Sequence, residues 1–363
     1  MLPVTLLTGL DEAFRGAVAG NLLAAAGQAG VLVEYDVSGL TTGSVVRIAR
    51  TAAGVIDREV ITMAHPCVSC AMRDSLVELL TSIAAVERYD VAVVNVPAAG
   101  DSQAIATEIT RTEGLLVDAV VTILDTATAE TDLTGDQLIQ DRGIPTAAED
   151  NRAIAEVLIR KLEYADAVIL SSEDTTVRAL TQAISPDLLV KTTPTGLLGV
   201  RLHDPATAGT EPGSIAAPLE GEAQTLVWQS TRPFHPERLY DALEDLVAGT
   251  ARGRGTIWIA TQHRSRLSWD SFGPNISVGV LGPWLADLPA DRWSSVGEQH
   301  QTRSALEWHP QYGDRASYLS FTGAGQDLRE LRDRLDGCVL RADEAVHPLT
   351  DPFAPYLEGS TAA

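Results

Sequence analysis

Residues 1–26 read MLPVTLLTGLDEAFRGAVAGNLLAAA. PVTLLT at 3–8 is a short apolar run of strand type, Gly9 closes it, and EAFRGAVAGNLLAAA at 12–26 is rich in helix formers. The same order returns downstream. VLVEYDV at 31–37, VAVVNV at 91–96, VDAVVTILD at 117–125, DAVILS at 166–171 and DLLVKT at 187–192 read as buried strands. Helices are expected between them at 72–86, 102–112, 149–164 and 177–184, the first showing Leu76, Leu79, Leu80 and Ile83 at helical spacing. SVVRIAR at 44–50 and GVIDREVITM at 54–63 add two β-rich pieces. Alternation of strand and helix predicts an α/β domain, a mostly parallel sheet with helices on both faces.

HDPATAGTEPGSIAAPLEGEA at 203–223 is the strongest shift in composition and reads as a linker. Beyond it, TLVWQS (225–230), GTIWIATQ (255–262), RLSWDSF (266–272), NISVGVL (275–281) and SYLSFTG (317–323) predict short antiparallel strands. Helices are expected after Pro236 and at 326–335. The expected organisation is an α/β domain at 1–202, a linker at 203–223, an α+β domain at 224–348 and a tail at 349–363.

The chain has 363 residues, with 27 Lys and Arg against 49 Asp and Glu, a formal charge of −22. Such a chain is repelled by bare phosphate backbones, which argues against broad nucleic-acid binding. Three cysteines cannot build a full disulfide framework, and a reducing cytoplasm is expected. The apolar start lacks a basic n-region and meets Asp11 and Glu12, so it does not read as a signal peptide. No run approaches the length of a membrane span, and no membrane partner is expected.

The turn after the first strand is where a phosphate loop, G-x-x-x-x-G-K-[ST], belongs. Gly9 fills the first position, but Phe14 stands for the second glycine, Arg15 for the lysine and Gly16 for the hydroxyl residue. Phe14 obstructs the close backbone approach, Gly16 offers nothing to Mg²⁺, and Asp11 and Glu12 place negative charge where phosphate would lie. HPCVSC at 65–70 carries a different chemistry. Cys67 and Cys70, with His65 two residues earlier, form a soft donor set suited to Zn²⁺. A thioredoxin-type redox pair and an inert pair are the competing readings. Cys338, in the apolar run DGCVLRAD, reads as a core cysteine.

With these motifs the chain resembles the CobW family of P-loop GTPases, proteins linked to metal delivery and zinc homeostasis. The family's opening T-G-F-L-G-A-G-K-T-T stands here as T-G-L-D-E-A-F-R-G-A from Thr8 to Ala17. Its C-x-C-C metal motif stands as Cys67-Val68-Ser69-Cys70. Its strand-borne glutamate and glycine are Asn95 and Ala98, and its N-K-x-D guanine motif is Ser171-Ser172-Glu173-Asp174. RPFHPERL at 232–239, GDRASYLSFTG at 313–323 and LDGCVLRADE at 335–344 match the family's C-terminal domain. The resemblance implies a P-loop-GTPase-like sheet domain followed by a CobW-type α+β domain.

With three nucleotide elements altered together, GTP hydrolysis is expected to be lost and neither GTP nor Mg²⁺ is expected as a cofactor. The chain looks similar to an actinobacterial CobW-like branch with HxCVSC, a degenerate loop and RPFHPxRL. That likeness implies a zinc-responsive recruiter of a hibernation-promoting factor to the small ribosomal subunit. A zinc metallochaperone working through His65, Cys67 and Cys70 is the alternative. Arg252, Arg254, Arg264 and Arg266, with His263, form a limited basic patch available to rRNA, or else a solvated hairpin face. His235 reads as a helix-entry residue beside Pro236, and Asp314 and Arg315 as pairing or capping groups.

Overall fold

β1 (Leu2–Gly9) lies inside a sheet because seven of its eight residues have a buried place to go. Leu2, Val4 and Leu6 enter one apolar core and Leu7 enters the other, so the strand is covered on both faces. In a computed structural model, which describes residues 1–63, 67–344 and 348–357, the chain divides into two units, Met1–Thr210 and Glu211–Ala363.

The strands of the first unit are β1, β2 (Gly30–Asp36), β3 (Ser44–Thr51), β4 (Gly54–Thr62), β5 (Val91–Asn95), β6 (Leu115–Leu124), β7 (Ala167–Leu170) and β8 (Leu189–Lys191). They lie in the order β4-β3-β2-β5-β1-β6-β7-β8. The pairings from β2 through β8 are parallel, whereas β3 and β4 add an antiparallel edge. The sheet is therefore mostly parallel, as the alternation predicts. β4 is the exposed outer strand, with Val55 and Val60 facing solvent.

The helices are α1 (Glu12–Ala26), α2 (Val68–Ala85), α3 (Ser102–Arg111), α4 (Ala129–Thr134), α5 (Ile154–Tyr164) and α6 (Thr175–Ile184). α1 buries Val18, Ala19, Leu22 and Leu23 in one core. α2 buries Met72, Leu76, Leu79, Leu80 and Ile83 in the other, where Ile105 and Ile109 of α3 join them. Each of these Val, Leu, Ile and Met side chains contributes about 1.5–3 kcal/mol.

Two helix starts differ from the expected ones. α2 begins at Val68 rather than 72, because Cys67 caps it. α5 begins at Ile154 rather than 149. The Arg152 guanidinium grips Asp150 through Nε at 2.8 Å and Nη2 at 2.7 Å and also reaches the Ala99 carbonyl, which holds that stretch outside the helix.

Residues 199–210 stay with the first unit. The Asp118 carbonyl accepts from the Leu202 and His203 amides at 2.7 and 2.9 Å. The Asp118 carboxylate takes the Thr5 hydroxyl at 2.9 Å and the Gly199 amide at 3.2 Å. His203 is buried with Nδ1 against Asp166 at 3.2 Å. Residues from 211 onward belong to the second unit, where the Ala216 amide donates to Ser320 Oγ at 2.9 Å.

The second unit carries β9 (Ala223–Ser230), α7 (Pro236–Asp241), α8 (Leu243–Val247), β10 (Thr250–Ile257), β11 (Ser265–Phe272), β12 (Asn275–Pro283), α9 (Glu298–Glu307), β13 (Ser317–Ala324), α10 (Leu328–Cys338) and α11 (Ala354–Leu357). The sheet is antiparallel in the order β12-β11-β10-β13-β9. Trp228 stacks on Phe234, Trp269 meets Phe321 edge-on, and Leu239, Leu246, Leu331 and Leu335 complete the core against them. Cys338 is buried there as expected. His235 caps α7 ahead of Pro236, its Nδ1 accepting from the Arg238 amide at 3.4 Å.

β10 is built from TARGRGTI, five residues earlier than its expected start, and IATQ leaves the sheet. α9 was not legible, since EQHQTRSALE has little apolar periodicity.

Gly255 fixes the β10–β13 approach. Its φ is +147°, and a Cβ there would lie 1.9 Å from the Tyr318 carbonyl oxygen. Gly255→Ala is expected to destabilise the second unit by more than about 1 kcal/mol. All six tryptophans lie at or beyond residue 228, so tryptophan fluorescence in a urea titration reads that unit directly. An unchanged midpoint would contradict the packing described.

Candidate functional site

The β1–α1 turn is closed from within. Arg15, at the position of the phosphate-loop lysine, is buried. Its Nη1 donates to the Gly9 carbonyl at 2.8 Å and its Nε to Asn95 Oδ1 on β5 at 2.6 Å. Asn95 in turn approaches Glu34, which pairs with Arg50 at 2.8 Å. Asp11 caps α1, its carboxylate accepting from the Phe14 amide at 2.7 Å. An intramolecular carboxylate thus holds the helix end that would otherwise attract an anion. Phe14 is partly buried and packs against the apolar core that α1 shares with β1. Gly9 is needed for packing, because a Cβ would lie 2.5 Å from Ile123 Cγ1. A Cβ on Gly16 would meet nothing within 4 Å, so its missing hydroxyl is a chemical rather than a steric matter.

The other nucleotide positions are satisfied in the same way. Asp174 caps α6 by accepting from the Val177 amide at 2.9 Å. Ser171 donates to Asp125 at 2.8 Å, and Ser172 meets Thr126 at 2.7 Å. A cavity of about 410 Å³ lies beside the turn, and Asp11, Glu12, Asp125 and Asp132 face it against the guanidiniums of Arg15 and Arg142. This lining opposes a polyphosphate. Neither the lysine nor the hydroxyl residue of a phosphate loop stands in this turn.

Sequence reading missed Lys161. It is buried under the turn, where Nζ donates to Thr8 Oγ1 and to the Gly100 carbonyl, both at 2.7 Å. Burial, aided by repulsion from Arg15, pulls its pKa down to about 7. Only its place on the apolar face of α5 could have signalled it.

The cysteine pair sits at the start of α2. Cys67 is the N-cap residue, its Sγ accepting from the Cys70 amide at 3.3 Å, and the two sulfurs lie 2.7 Å apart with no disulfide. Both are half-buried. Tetrahedral Zn²⁺ holds two thiolates roughly 3.8 Å apart, so a small opening of the pair admits the ion. Ser69, where the family motif has a cysteine, is turned to α3, and its Oγ accepts from the Asp101 amide at 2.9 Å. His65 lies outside the described residues. Among the described residues, no group of three or more His, Cys, Asp or Glu is arranged to hold a metal ion.

The expected basic patch is not one surface. Arg252 is buried, paired with Asp270 at 2.9 Å and stacked on Phe272. Arg254 and Arg266 are half-buried, and Arg264 and His263 are exposed. Arg252 is therefore withdrawn from any contact with rRNA, because its guanidinium is buried against Asp270 and Phe272. Asp314 and Arg315 pair and cap: Asp314 accepts from the Leu285 and Ala286 amides at 2.9 Å, and Arg315 meets Asp287 at 2.5 Å.

Arg15→Ala strands the Gly9 carbonyl and Asn95, and is expected to lower first-unit stability by about 1–3 kcal/mol in circular-dichroism melts. Lys161 gives a pH signature. Its folded pKa lies below the unfolded one, so the unfolded chain binds more protons between about pH 7 and 10.5 and stability rises with pH across that window. Lys161→Met removes this contribution, up to about 1.4 kcal/mol per pH unit. Equal slopes in the two proteins would contradict the assignment.

Comparison with known proteins adds the family. Residues 42–189 match the CobW/HypB/UreG nucleotide-binding domain, and residues 223–339 match the cobalamin synthesis protein cobW C-terminal domain. The protein named zinc chaperone Rv0106 of Mycobacterium tuberculosis is 25% identical over 390 residues, covering 98% of this chain and 93% of its own length. Zinc-regulated GTPase metalloprotein activator 1 of Dictyostelium discoideum is 24% identical over 329 residues, 81% of this chain and 69% of its own. The crystal structure of Zn(II)-bound YjiA GTPase from E. coli aligns with 93% of this chain and 99% of its own at 16% identity, with a TM-score of 0.36. The two units thus match, in chain order, the CobW/HypB/UreG nucleotide-binding domain and the cobW C-terminal domain.

Proposed function

We propose that this chain handles zinc as cargo at Cys67 and Cys70 and does so without GTP chemistry. The observation that carries the reading is the juxtaposition in the first unit: two thiols converge at the entrance of α2, while the phosphate-loop turn is closed by Arg15 and Asp11. The names of two relatives, a zinc chaperone and a zinc-regulated GTPase metalloprotein activator, support the zinc part.

Zinc enters as the two thiols lose their protons, so uptake releases protons to solvent. His65 is the third donor. The remaining position stays open, and an incoming ligand from a client can occupy it before the cysteines let go. An incomplete donor set suits transfer better than permanent structure.

The charge favours a further reading at the level of partners. A net charge of −22 suits a basic protein partner, as recruitment of a hibernation-promoting factor to the small ribosomal subunit requires. With Arg252 buried, direct rRNA contact is left to Arg254, Arg264 and Arg266, and the main contact with the ribosome runs through that partner.

Cys67→Ser with Cys70→Ser is expected to abolish stoichiometric zinc binding in equilibrium dialysis with elemental analysis, and His65→Ala to weaken it. Unchanged stoichiometry in the double variant would sink the site. Mg²⁺ with millimolar GTP is expected to leave the melting temperature unmoved; a ligand at 100 times its Kd would add about 2.7 kcal/mol. Tagged protein from cells grown with and without zinc distinguishes the partners. Recovery of a hibernation factor with small-subunit proteins supports recruitment, and recovery of a zinc enzyme alone supports delivery.

A further inference from the structure

The second unit encloses a cavity of about 340 Å³ on the sheet face away from its aromatic core. Thr256 and Arg266 border it from β10 and β11, Tyr318 from β13, and His300 and Arg303 from α9. Trp284 borders it as well, although only 2% of that residue is exposed.

Its polar groups fall into two sets. The carboxylates are already engaged. Asp314 accepts from the Leu285 and Ala286 amides at 2.9 Å and from His300 Nε2 at 2.8 Å, and Glu307 accepts from the Tyr318 hydroxyl. Glu211 is exposed at the rim. Two donors are not engaged: Arg266 Nε and Trp284 Nε1 are buried without a hydrogen-bond partner. Arg303 lies over the ring of Tyr318, 5.0 Å from its centroid, and leaves the cavity's acceptors no more numerous.

Indole N–H and guanidinium groups can only donate. Because Asp314 accepts from His300 Nε2, that nitrogen carries a proton and the ring is fixed in orientation. Buried donors lacking acceptors are rare in folded proteins. Two such donors, Arg266 Nε and Trp284 Nε1, border this one cavity, whose buried carboxylate Asp314 is already engaged, so the complement they call for is an acceptor that brings negative charge.

We propose that this cavity binds a small oxyanion, the phosphoryl or carboxylate group of a metabolite, held chiefly by Arg266 with the Trp284 indole as a second donor. Asp314 acts as a positioning residue: it holds His300 and the 285–286 backbone around the anion. The site lies wholly in the second unit and is independent of the zinc reading.

The six indole N–H signals of the full chain provide the test, with Trp284→Phe assigning one of them. Inorganic phosphate and, separately, acetate are titrated to about 10 mM. Saturable movement of the Trp284 signal with phosphate supports a phosphoryl ligand, and movement with acetate alone supports a carboxylate. Arg266→Met should weaken the response at least tenfold and Arg266→Lys should keep part of it, with the other five indole signals in place as evidence of folding. If Arg266→Met does not fold, the graded loss in Arg266→Lys carries the test. No saturable movement with either anion, or movement indifferent to both Arg266 variants, overturns the proposal and leaves a water-filled cavity.

Discussion

The guanidinium of Arg15 is the contact on which the first unit's chemistry turns. By joining the Gly9 carbonyl to Asn95, it ties the end of β1 to β5. The capping carboxylate of Asp11 removes the remaining attraction for an anion. Once both are in place, the neighbouring substitutions follow one logic. Asp174 becomes a helix cap, Ser171 and Ser172 become loop ties, and the charged groups facing the cavity beside them include more carboxylates than guanidiniums. The fold keeps the frame of a nucleotide-binding domain while its polar groups satisfy one another.

The cysteine pair is physically continuous with this frame. Ser69, between the two cysteines, is bonded to the Asp101 amide, and the preceding Gly100 carbonyl receives Lys161, which also holds Thr8 on β1. The entrance of α2 is therefore fastened to the strand that carries the closed turn. A short run of hydrogen bonds thus connects Ser69, the residue before Cys70, to Thr8 beside the phosphate-loop position.

Much of the fold was legible in the sequence, because the β1, β5, β6 and β7 segments are apolar runs too short for helices and the α2 leucines repeat at helical spacing. The antiparallel edge of β3 and β4 was legible only as β-rich sequence, since strand direction leaves no mark on periodicity. β10 was misplaced because its ladder is carried by Arg and Gly, whose faces are covered by tertiary contacts. At the site, the altered loop and the CxxC pair were visible as motifs. Lys161 and the Arg15–Asn95 bond were not, for they join residues far apart in the chain. The basic patch misled because charge spacing on a strand does not say which side chains are buried, and Arg252 is buried against Asp270.

The central claim is that zinc is handled independently of nucleotide, and the reciprocity of binding equilibria gives it a direct test. Zinc affinity can be measured by competition with a chromophoric chelator, with and without saturating Mg²⁺ and GTP. The same affinity and stoichiometry are expected in both. A tenfold change in zinc affinity on adding GTP, about 1.4 kcal/mol of coupling, would contradict it and restore the nucleotide site to the mechanism.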